Sequence, residues 1–471
     1  MSSGKPSALD EYVARIDRLP VWGLSYALLW AIGIGYFATL YDAVSNLGLA
    51  LPYIPFINTI QASIIVSIGL AAYIIGSIGL GLAADVIGRK IALIASFVLL
   101  TIGSLGMALS INYPMLFVFR FIEGVGTGAS LNLAMVYISE FSPSSKRGKY
   151  GNWIFISGWI AVGLGTLLVA FIVTASEALG WRIAFGLAAA LGLISTVIVS
   201  IKAPESVRVL IKKGKYQQAE KLVEGIERVS MIRAKVSTLP SPKIVSYEQE
   251  QVSPLKILGE SKFLKRLIGL TVFWFFIYFI QYTSTGLGPT FVKAVVGLTP
   301  GQYVEYIRLL GFVAVGATII SFAMLGFIER TDRRILTQVG AIGFLVSSYL
   351  TTFLILNKAL IPWFIAYFLL EFVVNPPYLA GYLMSSESFP TASRSTGFAI
   401  TDGIGHLGGV FGPLLLFPLI SIVGPLYAWV ILALPVPFAA ALLWFTVPKT
   451  VGVRLEEVNE AMRQRGAKTG S

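Results

Sequence analysis

The sequence predicts an all-α membrane protein with twelve transmembrane helices in two related six-helix bundles. Its composition is 56% hydrophobic and 13% charged, and the mean hydropathy is +0.78. A soluble domain of 471 residues cannot bury that much apolar side chain, so lipid must surround the chain. The string E-x-x-P-x-x-x-R occurs twice, from Glu140 to Arg147 and again 247 residues later from Glu387 to Arg394. A long internal repeat in a membrane chain is typical of two pseudo-symmetric bundles.

Each predicted span is an apolar stretch of roughly 20 residues, which is the length that an α-helix needs to cross a bilayer. The first bundle, residues 22–202, contains spans at 22–44, 60–84, 91–110, 114–139, 153–175 and 182–201. The second bundle, residues 263–447, contains spans at 264–288, 304–328, 336–356, 360–384, 395–421 and 425–447.

The segments outside the bundles are hydrophilic. They are an N-terminal tail (1–21), a linker (203–262) and a C-terminal tail (448–471). Helical periodicity predicts short amphipathic helices over 207–227 in the linker and over 455–465 in the C-terminal tail.

The distribution of basic residues predicts the orientation of the chain. Of the 36 Lys and Arg residues, 31 lie in the two tails, in the linker with its edges (Lys202 to Arg266) or in alternate loops on one side of the predicted spans. The positive-inside rule places this side, with both termini, in the cytoplasm. We therefore expect a multi-pass protein of the plasma membrane. Its net charge of +12 reflects a solvated surface that faces lipid headgroups, and we expect no nucleic-acid partner.

Residues that the chain lacks exclude several classes of function. Cysteine is absent, and His406 is the only histidine, so thiolate and multi-histidine metal sites are excluded. The G-x-x-x-x-G-K-[ST] loop that binds ATP phosphates is also absent. We expect neither an enzyme nor an ATP-driven pump, and no cofactor other than a proton as the coupling ion.

Motifs at the ends of several predicted spans indicate a family. Gly81–Lys90 has the form G-x-x-x-D-x-x-G-R-K, which resembles a signature of the major facilitator superfamily. From Arg120 to Gly148 the chain reads R-x-x-x-G-x-G-x-G and then Y-x-x-E-x-x-P-x-x-x-R-G, a pattern that resembles the sugar porter branch. Pro204–Arg208 and Pro448–Glu457 resemble two further sugar porter signatures, with substitutions. The resemblance covers almost the whole chain and implies the major facilitator fold.

The resemblance also implies a set of gating residues at the cytoplasmic ends of the helices. Asp85 and Arg89 belong to the first motif, which is a structural and gating element. By the register of the repeated string, an interhelical ion-pair network would include Glu140, Arg147, Glu387 and Arg394. Such pairs hold one conformation closed and must separate when access alternates.

Charged residues within the spans are candidates for transport chemistry, because they are costly to place in lipid. Asp42 lies in the first span, where burial and a nearby arginine would act on its protonation in opposite directions. The resemblance implies that Asp42 accepts the coupling proton and that Arg120 is its modulating partner. One alternative is a permanent salt bridge between these two residues. Another is neutralisation of Arg120 by Glu123, one helical turn away.

Polar residues of spans 1, 7, 10 and 11 are expected to contact the substrate. Asp402 and His406 are four residues apart on one helical face, where they would form a titrating pair or pack at a helix seam. Two prolines break span 10 and free backbone carbonyls that are tolerated where they line a cavity. The full set of substrate-binding candidates is Asn46, Gln281, Tyr282, Glu371, Asn375, Tyr382, Asp402 and His406.

The expected function is proton-coupled secondary transport of a small polar organic solute, with a monosaccharide as the leading candidate. The positions of hexose-binding glutamines in sugar porters are occupied here by Phe155, Phe276 and Ile277, so the scaffold alone suggests sugar. One alternative is a proton symporter for an organic or aromatic acid, whose carboxylate Arg120 would bind. An alternative of another class is a non-transporting nutrient sensor. We expect the protein to function as a monomer surrounded by membrane lipids.

Overall fold

The computed structural model of the protein describes residues 8–242, 253–323, 327, 330–390 and 393–449. Within these ranges the chain is helical and contains no β-strand. Twelve helical segments are long and apolar enough to cross a membrane, which confirms the predicted number of spans. They are Tyr26–Tyr53, Thr59–Ile87, Arg89–Ala108, Tyr113–Phe141, Ser144–Ala175, Gly180–Lys202, Ser261–Val296, Pro300–Ala323, Arg333–Leu356, Leu360–Glu387, Thr396–Val423 and Pro425–Thr446.

The described chain up to Ala234 contains helices α1 to α11. They are α1 (Ala8–Asp17), α2 (Tyr26–Leu40), α3 (Leu47–Ala50), α4 (Thr59–Ile87), α5 (Arg89–Ala108), α6 (Tyr113–Phe141), α7 (Arg147–Ile160), α8 (Thr166–Ala175), α9 (Gly180–Lys202), α10 (Val207–Lys212) and α11 (Tyr216–Ala234). π-Helical turns at Tyr41–Asn46 and Ala161–Gly165 join α2 to α3 and α7 to α8. Such turns widen a helix locally and often mark functional sites.

The described residues after 252 contain helices α12 to α20. They are α12 (Pro254–Leu258), α13 (Ser261–Phe291), α14 (Pro300–Ala323), α15 (Arg333–Leu356), α16 (Leu360–Val374), α17 (Pro376–Glu387), α18 (Arg394–Val423), α19 (Pro425–Ala433) and α20 (Pro435–Thr446). A π-helical turn, Val292–Val296, makes span 7 longer than predicted. Pro376 and Pro377 separate α16 from α17, because proline lacks the N–H that would continue the helical bonding.

The linker forms two helices, α10 and α11, where the sequence predicts short amphipathic helices over 207–227. Gly214 separates α10 from α11 with a φ of +70°, which glycine adopts at little cost. The apolar side chains of α11, including Val223 and Ile226, pack in one hydrophobic cluster with Ile16 and Trp22 of the N-terminal segment. The expected helix over 455–465 lies outside the described residues.

The described residues group into two compact units. Unit 1 lies within 1–43, 72–161 and 182–250, and unit 2 lies within 44–71, 162–181 and 251–471. The units differ from the two sequence halves, because unit 2 takes residues 44–71 and 162–181 from the first half.

Glycines allow close helix contact inside unit 1. A Cβ atom at Gly126 of α6 would lie 2.4 Å from the backbone nitrogen of Leu100 in α5, and one at Gly128 would lie 1.9 Å from the carbonyl oxygen of Tyr73 in α4. The backbones of α4 and α5 therefore approach α6 directly, as small residues permit in membrane helices. This packing accounts for two glycines of the R-x-x-x-G-x-G-x-G string.

A second glycine seam joins α13 to α18 inside unit 2. A Cβ atom at Gly408 would lie 1.8 Å from the carbonyl oxygen of Phe275, and one at Gly412 would lie 2.2 Å from that of Phe279. Gly405 similarly leaves room for the Cβ of Trp274. The close approach places the aromatic side chains of α13 beside the polar side chains of α18.

Candidate functional site

Unit 1 contains buried charged residues in the middle of its spans. Asp42 lies in the π-helical turn after α2, is fully buried and accepts a hydrogen bond from the Ser104 hydroxyl. Arg120 is 3% exposed and forms an ion pair with Glu123, which also accepts a hydrogen bond from Thr127. The described contacts therefore join Arg120 to Glu123, as in the alternative considered for this arginine. The role of Asp42 as the proton acceptor stays a prediction.

In unit 2, aromatic side chains of α13, α17 and α18 lie close together. The rings of Trp274 and Tyr278 are stacked with centroids 5.0 Å apart, and the Trp274 and Tyr382 centroids are 4.5 Å apart. Trp274 also donates a hydrogen bond of 2.9 Å from its indole Nε1 to the Ser385 hydroxyl. The imidazole of His406 lies 4.0 Å from the Tyr278 ring. We refer to Trp274, Tyr278, Tyr282, Tyr382 and His406 as the aromatic cluster.

Asp402 is an acidic residue that contacts the aromatic cluster. Its carboxylate accepts a hydrogen bond of 2.7 Å from the Tyr278 hydroxyl. His406 Nδ1 lies 2.8 Å from the Asp402 carbonyl oxygen and 3.7 Å from its carboxylate. A neutral imidazole in this position carries its proton on Nδ1, because the carbonyl oxygen can only accept. The two residues share one helical face, and Gly405 and Gly408 between and beside them pack against α13.

Several predicted substrate residues are brought together and others lie apart. Tyr282, Tyr382, Asp402 and His406 share the neighbourhood of Tyr278, which the sequence reasoning did not select. The available signal was the spacing of four residues between the aromatic side chains at 274, 278 and 282, which places them on one face of α13.

The remaining candidates occupy other positions in unit 2. Glu371 and Asn375 bond to each other beside the break between α16 and α17. Gln281 is half-buried in α13, and Asn46 is fully buried at the end of the π-helical turn after Asp42.

The repeated glutamates pair with arginines that follow spans 2 and 8. In unit 1, Arg89 contacts Asp85 at 2.6 Å and Glu140 at 3.4 Å. In unit 2, Glu387 pairs with Arg333. Each glutamate is thus held by an arginine at the start of a neighbouring helix.

The loop between spans 2 and 3 shows why its motif needs glycine. Gly88 has a φ of +118°, and a Cβ atom there would lie 2.2 Å from the Glu205 carboxylate. Glu205 also accepts a hydrogen bond of 3.2 Å from the backbone nitrogen of Lys90 at the start of α5. A carboxylate is favourable in this position because of the helix dipole.

Arg147 and Arg394, the arginines of the repeated string, lie at the starts of α7 and α18. Arg147 contacts Asp17 at the end of α1 at 2.8 Å. Through Arg147, the first copy of the repeated string therefore contacts the N-terminal segment of unit 1.

Residues 8–25, here called the N-terminal strap, are held by further ion pairs. Glu227 of α11 contacts Arg15 at 2.8 Å and Arg18 at 2.7 Å, and Arg15 also contacts Glu220 at 2.7 Å. Burial opposes ionisation of Glu227, but the hydrogen bonds from Arg15 and Arg18 outweigh it and lower its pKa below the ordinary value. The hydrogen bond from Arg15 likewise lowers the pKa of Glu220.

Comparison with known sequences identifies the family. A family model described as "Sugar (and other) transporter" matches residues 25–462. The niacin transporter NiaP of Acinetobacter baylyi is 29% identical, over 86% of this chain and 89% of its own length. The 4-hydroxybenzoate transporter PcaK of the same species is 28% identical over 75% of each chain. The glucose transporter GlcP of Staphylococcus epidermidis is 27% identical, over 88% of this chain and 91% of its own length.

Comparison with solved structures supports the fold. A crystal structure of a D-xylose-proton symporter has a TM-score of 0.69 and 18% identity, and the match covers 91% of this chain and 99% of the other. The family and the fold are those of multi-pass membrane transporters and not of enzymes. The chain therefore belongs to the sugar transporter family of the major facilitator superfamily.

Proposed function

We propose that the protein is a proton-coupled secondary transporter whose substrate is a small acid built on an aromatic or heteroaromatic ring. In this proposal it works as a monomer in the plasma membrane with both termini in the cytoplasm, as its basic residues predict.

The aromatic cluster is the observation that carries the choice of substrate. The centroids of neighbouring rings in the cluster are 4.0–5.8 Å apart, and such rings can stack on a planar ring. Trp274, Tyr278 and His406 are buried, whereas Tyr282 and Tyr382 are half-buried and more accessible. The positions of the sugar porter glutamines, Phe276 and Ile277, supply no side-chain hydrogen bonds for sugar hydroxyls. The likeness to transporters of niacin and 4-hydroxybenzoate supports the same choice.

The charge balance inside the spans supports coupling to protons. The acidic side chains in the middle of the described spans are Asp42, Glu123, Glu371 and Asp402. Arg120 is the arginine among them, and it is already paired with Glu123. An anionic substrate adds a negative charge inside the spans, and a proton that enters with it offsets that charge. Asp42 is the acceptor that we assign to this proton.

A monosaccharide is the second candidate substrate. It is favoured by the likeness to the glucose transporter GlcP and by the indole of Trp274, because aromatic rings also stack on sugars. Under this alternative, Tyr382 and Asp402 would bond to the hydroxyl groups of the sugar.

Transport by the purified protein in liposomes distinguishes these candidates. Uptake of labelled nicotinate, 4-hydroxybenzoate, glucose and xylose is measured with and without an inward proton gradient. We expect one or both aromatic acids to accumulate above equilibrium only with the gradient, and a protonophore to abolish the accumulation. Sugar accumulation without aromatic acid uptake would favour the second candidate. Aromatic acid uptake that merely equilibrates under either condition would contradict proton coupling.

A further inference from the structure

Glu371 is a buried carboxyl group in unit 2 that the assignment of Asp42 leaves without a role. It lies in the last turn of α16 and is 9% exposed. The amide nitrogen of Asn375 donates hydrogen bonds to the Glu371 carboxyl oxygen at 2.5 Å and to its backbone carbonyl at 3.1 Å. The side-chain oxygen of Asn375 accepts a bond of 3.3 Å from Ser321 in α14. Asn375 therefore bridges the acid to a second helix.

The surroundings of Glu371 differ from those of the other buried glutamates. Glu123 and Glu227 are paired with arginines, whereas Asn375 is the side-chain hydrogen-bond partner of Glu371 in the described part of the chain. No described lysine, arginine or histidine lies within ion-pair distance of it. A carboxylate without a cation costs several kcal/mol inside a membrane protein. The position of Glu371 therefore favours the neutral, protonated carboxyl group over the carboxylate.

The titratable groups facing Glu371 are phenols. Tyr367 on α16 and Tyr378 on α17 interact electrostatically with its carboxyl group. Tyr306 of α14 interacts with Tyr367, and Tyr282 of α13 interacts with Tyr378. These phenols supply no positive charge that would hold Glu371 ionised.

The arginines of α13, α14 and α15 are engaged elsewhere. Arg308 of α14 bonds to Thr174, and Arg334 of α15 bonds to Asp332. Arg333 pairs with Glu387, and Arg266 of α13 donates to the Ser388 carbonyl. These arginines therefore do not supply the positive charge that would stabilise an ionised Glu371.

The break beside Glu371 is a weak point in the helical hydrogen bonding of span 10. Pro376 and Pro377 cannot donate to the carbonyls four residues earlier, so α16 and α17 are joined without two helical hydrogen bonds. The break packs tightly on α15, where a Cβ atom at Gly340 would lie 1.9 Å from the Pro377 ring and 2.8 Å from the Val373 carbonyl. Movement of α17 away from this contact would admit water to the Asn375 bridge. Hydration favours the charged carboxylate, so the proton then leaves.

We propose that Glu371 is a second proton-binding residue of the transport cycle. Its carboxyl group takes one proton from the aqueous phase on one side of the membrane and releases that proton to the aqueous phase on the other side. The bend at Asn375 and the two prolines controls its access to water. The inference rests on the proposed function, because it requires that substrate movement be coupled to protons.

The number of protons moved per substrate tests this proposal. It is obtained in liposomes from the proton gradient that just balances a known substrate gradient. We expect Glu371→Gln to lower this number by one relative to the unmodified protein. Glu305→Gln, which changes an exposed glutamate of α14, is the matched control and keeps the full number. An unchanged number in folded Glu371→Gln, beside a coupled unmodified protein, overturns the role of Glu371 alone. Absence of coupling in the unmodified protein overturns both this role and the proposed function.

Infrared spectroscopy provides a test that does not require transport. The difference spectrum between alkaline and mildly acidic protein contains a carbonyl band for each carboxyl group that gains a proton. We expect one such band to move to higher frequency in Asn375→Ala, because the carboxyl group loses a hydrogen bond, and to disappear in Glu371→Gln. Asn357→Ala, an exposed amide after α15, leaves the band unchanged. A spectrum in which no band responds to Asn375→Ala overturns the proposal, even if Glu371→Gln does not fold.

Discussion

The hydroxyl of Tyr278 donates a hydrogen bond of 2.7 Å to the Asp402 carboxylate and lies 2.8 Å from the hydroxyl of Tyr382. Tyr278 is buried, whereas Tyr382 and Asp402 are half-buried. One phenol on α13 therefore fixes the accessible polar groups of α17 and α18 relative to each other. A site that binds a rigid ring needs this kind of fixed geometry.

Replacement of Tyr278 by phenylalanine removes this hydroxyl and keeps the ring. A hydrogen bond to a charged group contributes about 1.5–3 kcal/mol, so we expect Tyr278→Phe to weaken substrate binding roughly 10- to 100-fold. Titration of the purified protein with substrate measures the change. Tyr303→Phe is the control, because it removes a buried hydroxyl that bonds to the Pro289 carbonyl outside the aromatic cluster. Equal affinities of Tyr278→Phe and the unmodified protein would refute the role of this hydroxyl.

Asp42→Asn separates proton coupling from substrate movement. The substitution preserves the shape of the side chain but removes its ability to release a proton. We expect fewer protons to move with each substrate and gradient-driven accumulation to fall, while exchange of internal for external substrate at equal pH is retained. Glu177→Gln, at an exposed position between α8 and α9, should keep both activities. Accumulation by Asp42→Asn at the rate of the unmodified protein would exclude Asp42 as the coupling residue.

The twelve spans can be predicted from sequence because each must satisfy the same requirement, a sufficient length of apolar residues, independently of the others. The π-helical turn at Tyr41–Asn46 cannot be predicted in this way, since hydropathy does not distinguish i→i+5 from i→i+4 hydrogen bonding inside a span. Similarly, hydropathy locates span 10 but does not show that the proline break between α16 and α17 packs against Gly340 of α15.

Helical periodicity was sufficient to predict contacts between site residues on one helix. It was insufficient to predict contacts between residues on different helices. Asp402 and His406 fall on one face and are in contact, as a spacing of four predicts. Arg120 and Glu123 also share a helix, and their spacing of three predicts the pair that forms, but spacing alone does not exclude Asp42 of span 1 as the partner. Tyr278 has no individual signal in an aromatic-rich helix, because its importance comes from Asp402 and Tyr382 on two other helices.

The ion pairs of Glu227 predict a pH limit for attachment of the N-terminal strap. Because the folded pKa of this carboxyl is lowered, its stabilisation is complete above the ordinary glutamate value of about 4.3 and is lost as the pH falls through the folded value. We expect α1 to stay attached at neutral pH and down to the ordinary glutamate value, and to detach only as the pH falls further through the lowered folded value. Since the chain has no cysteine, a fluorophore on Glu11→Cys reports this detachment directly. Detachment already complete at pH 6 would contradict the assigned pairs.

Substitution of Glu227 tests the same ion pairs at neutral pH. Glu227→Gln leaves the guanidinium groups of Arg15 and Arg18 without their shared carboxylate, and breaking a buried pair costs about 3–5 kcal/mol. These arginines are partly solvated, so we expect a loss of roughly 2–4 kcal/mol in strap attachment. The fluorophore at position 11 should then become mobile at pH 7. Glu224→Gln, an exposed position on the same helix, should leave it immobile.

The glycine seam of unit 2 predicts different effects for two glycines on one helix. An alanine at Gly408 would place its Cβ 1.8 Å from the Phe275 carbonyl oxygen, and this backbone atom can move only if α13 and α18 separate. A Cβ at Gly403 meets no atom within 4 Å. Overpacking costs about 1–3 kcal/mol, so we expect Gly408→Ala to unfold at a lower temperature in detergent and to bind substrate weakly. Gly403→Ala has the same change in helix propensity without the contact, and should match the unmodified protein or exceed it in stability. Equal unfolding temperatures for the two variants would show that α13 and α18 are not packed through Gly408.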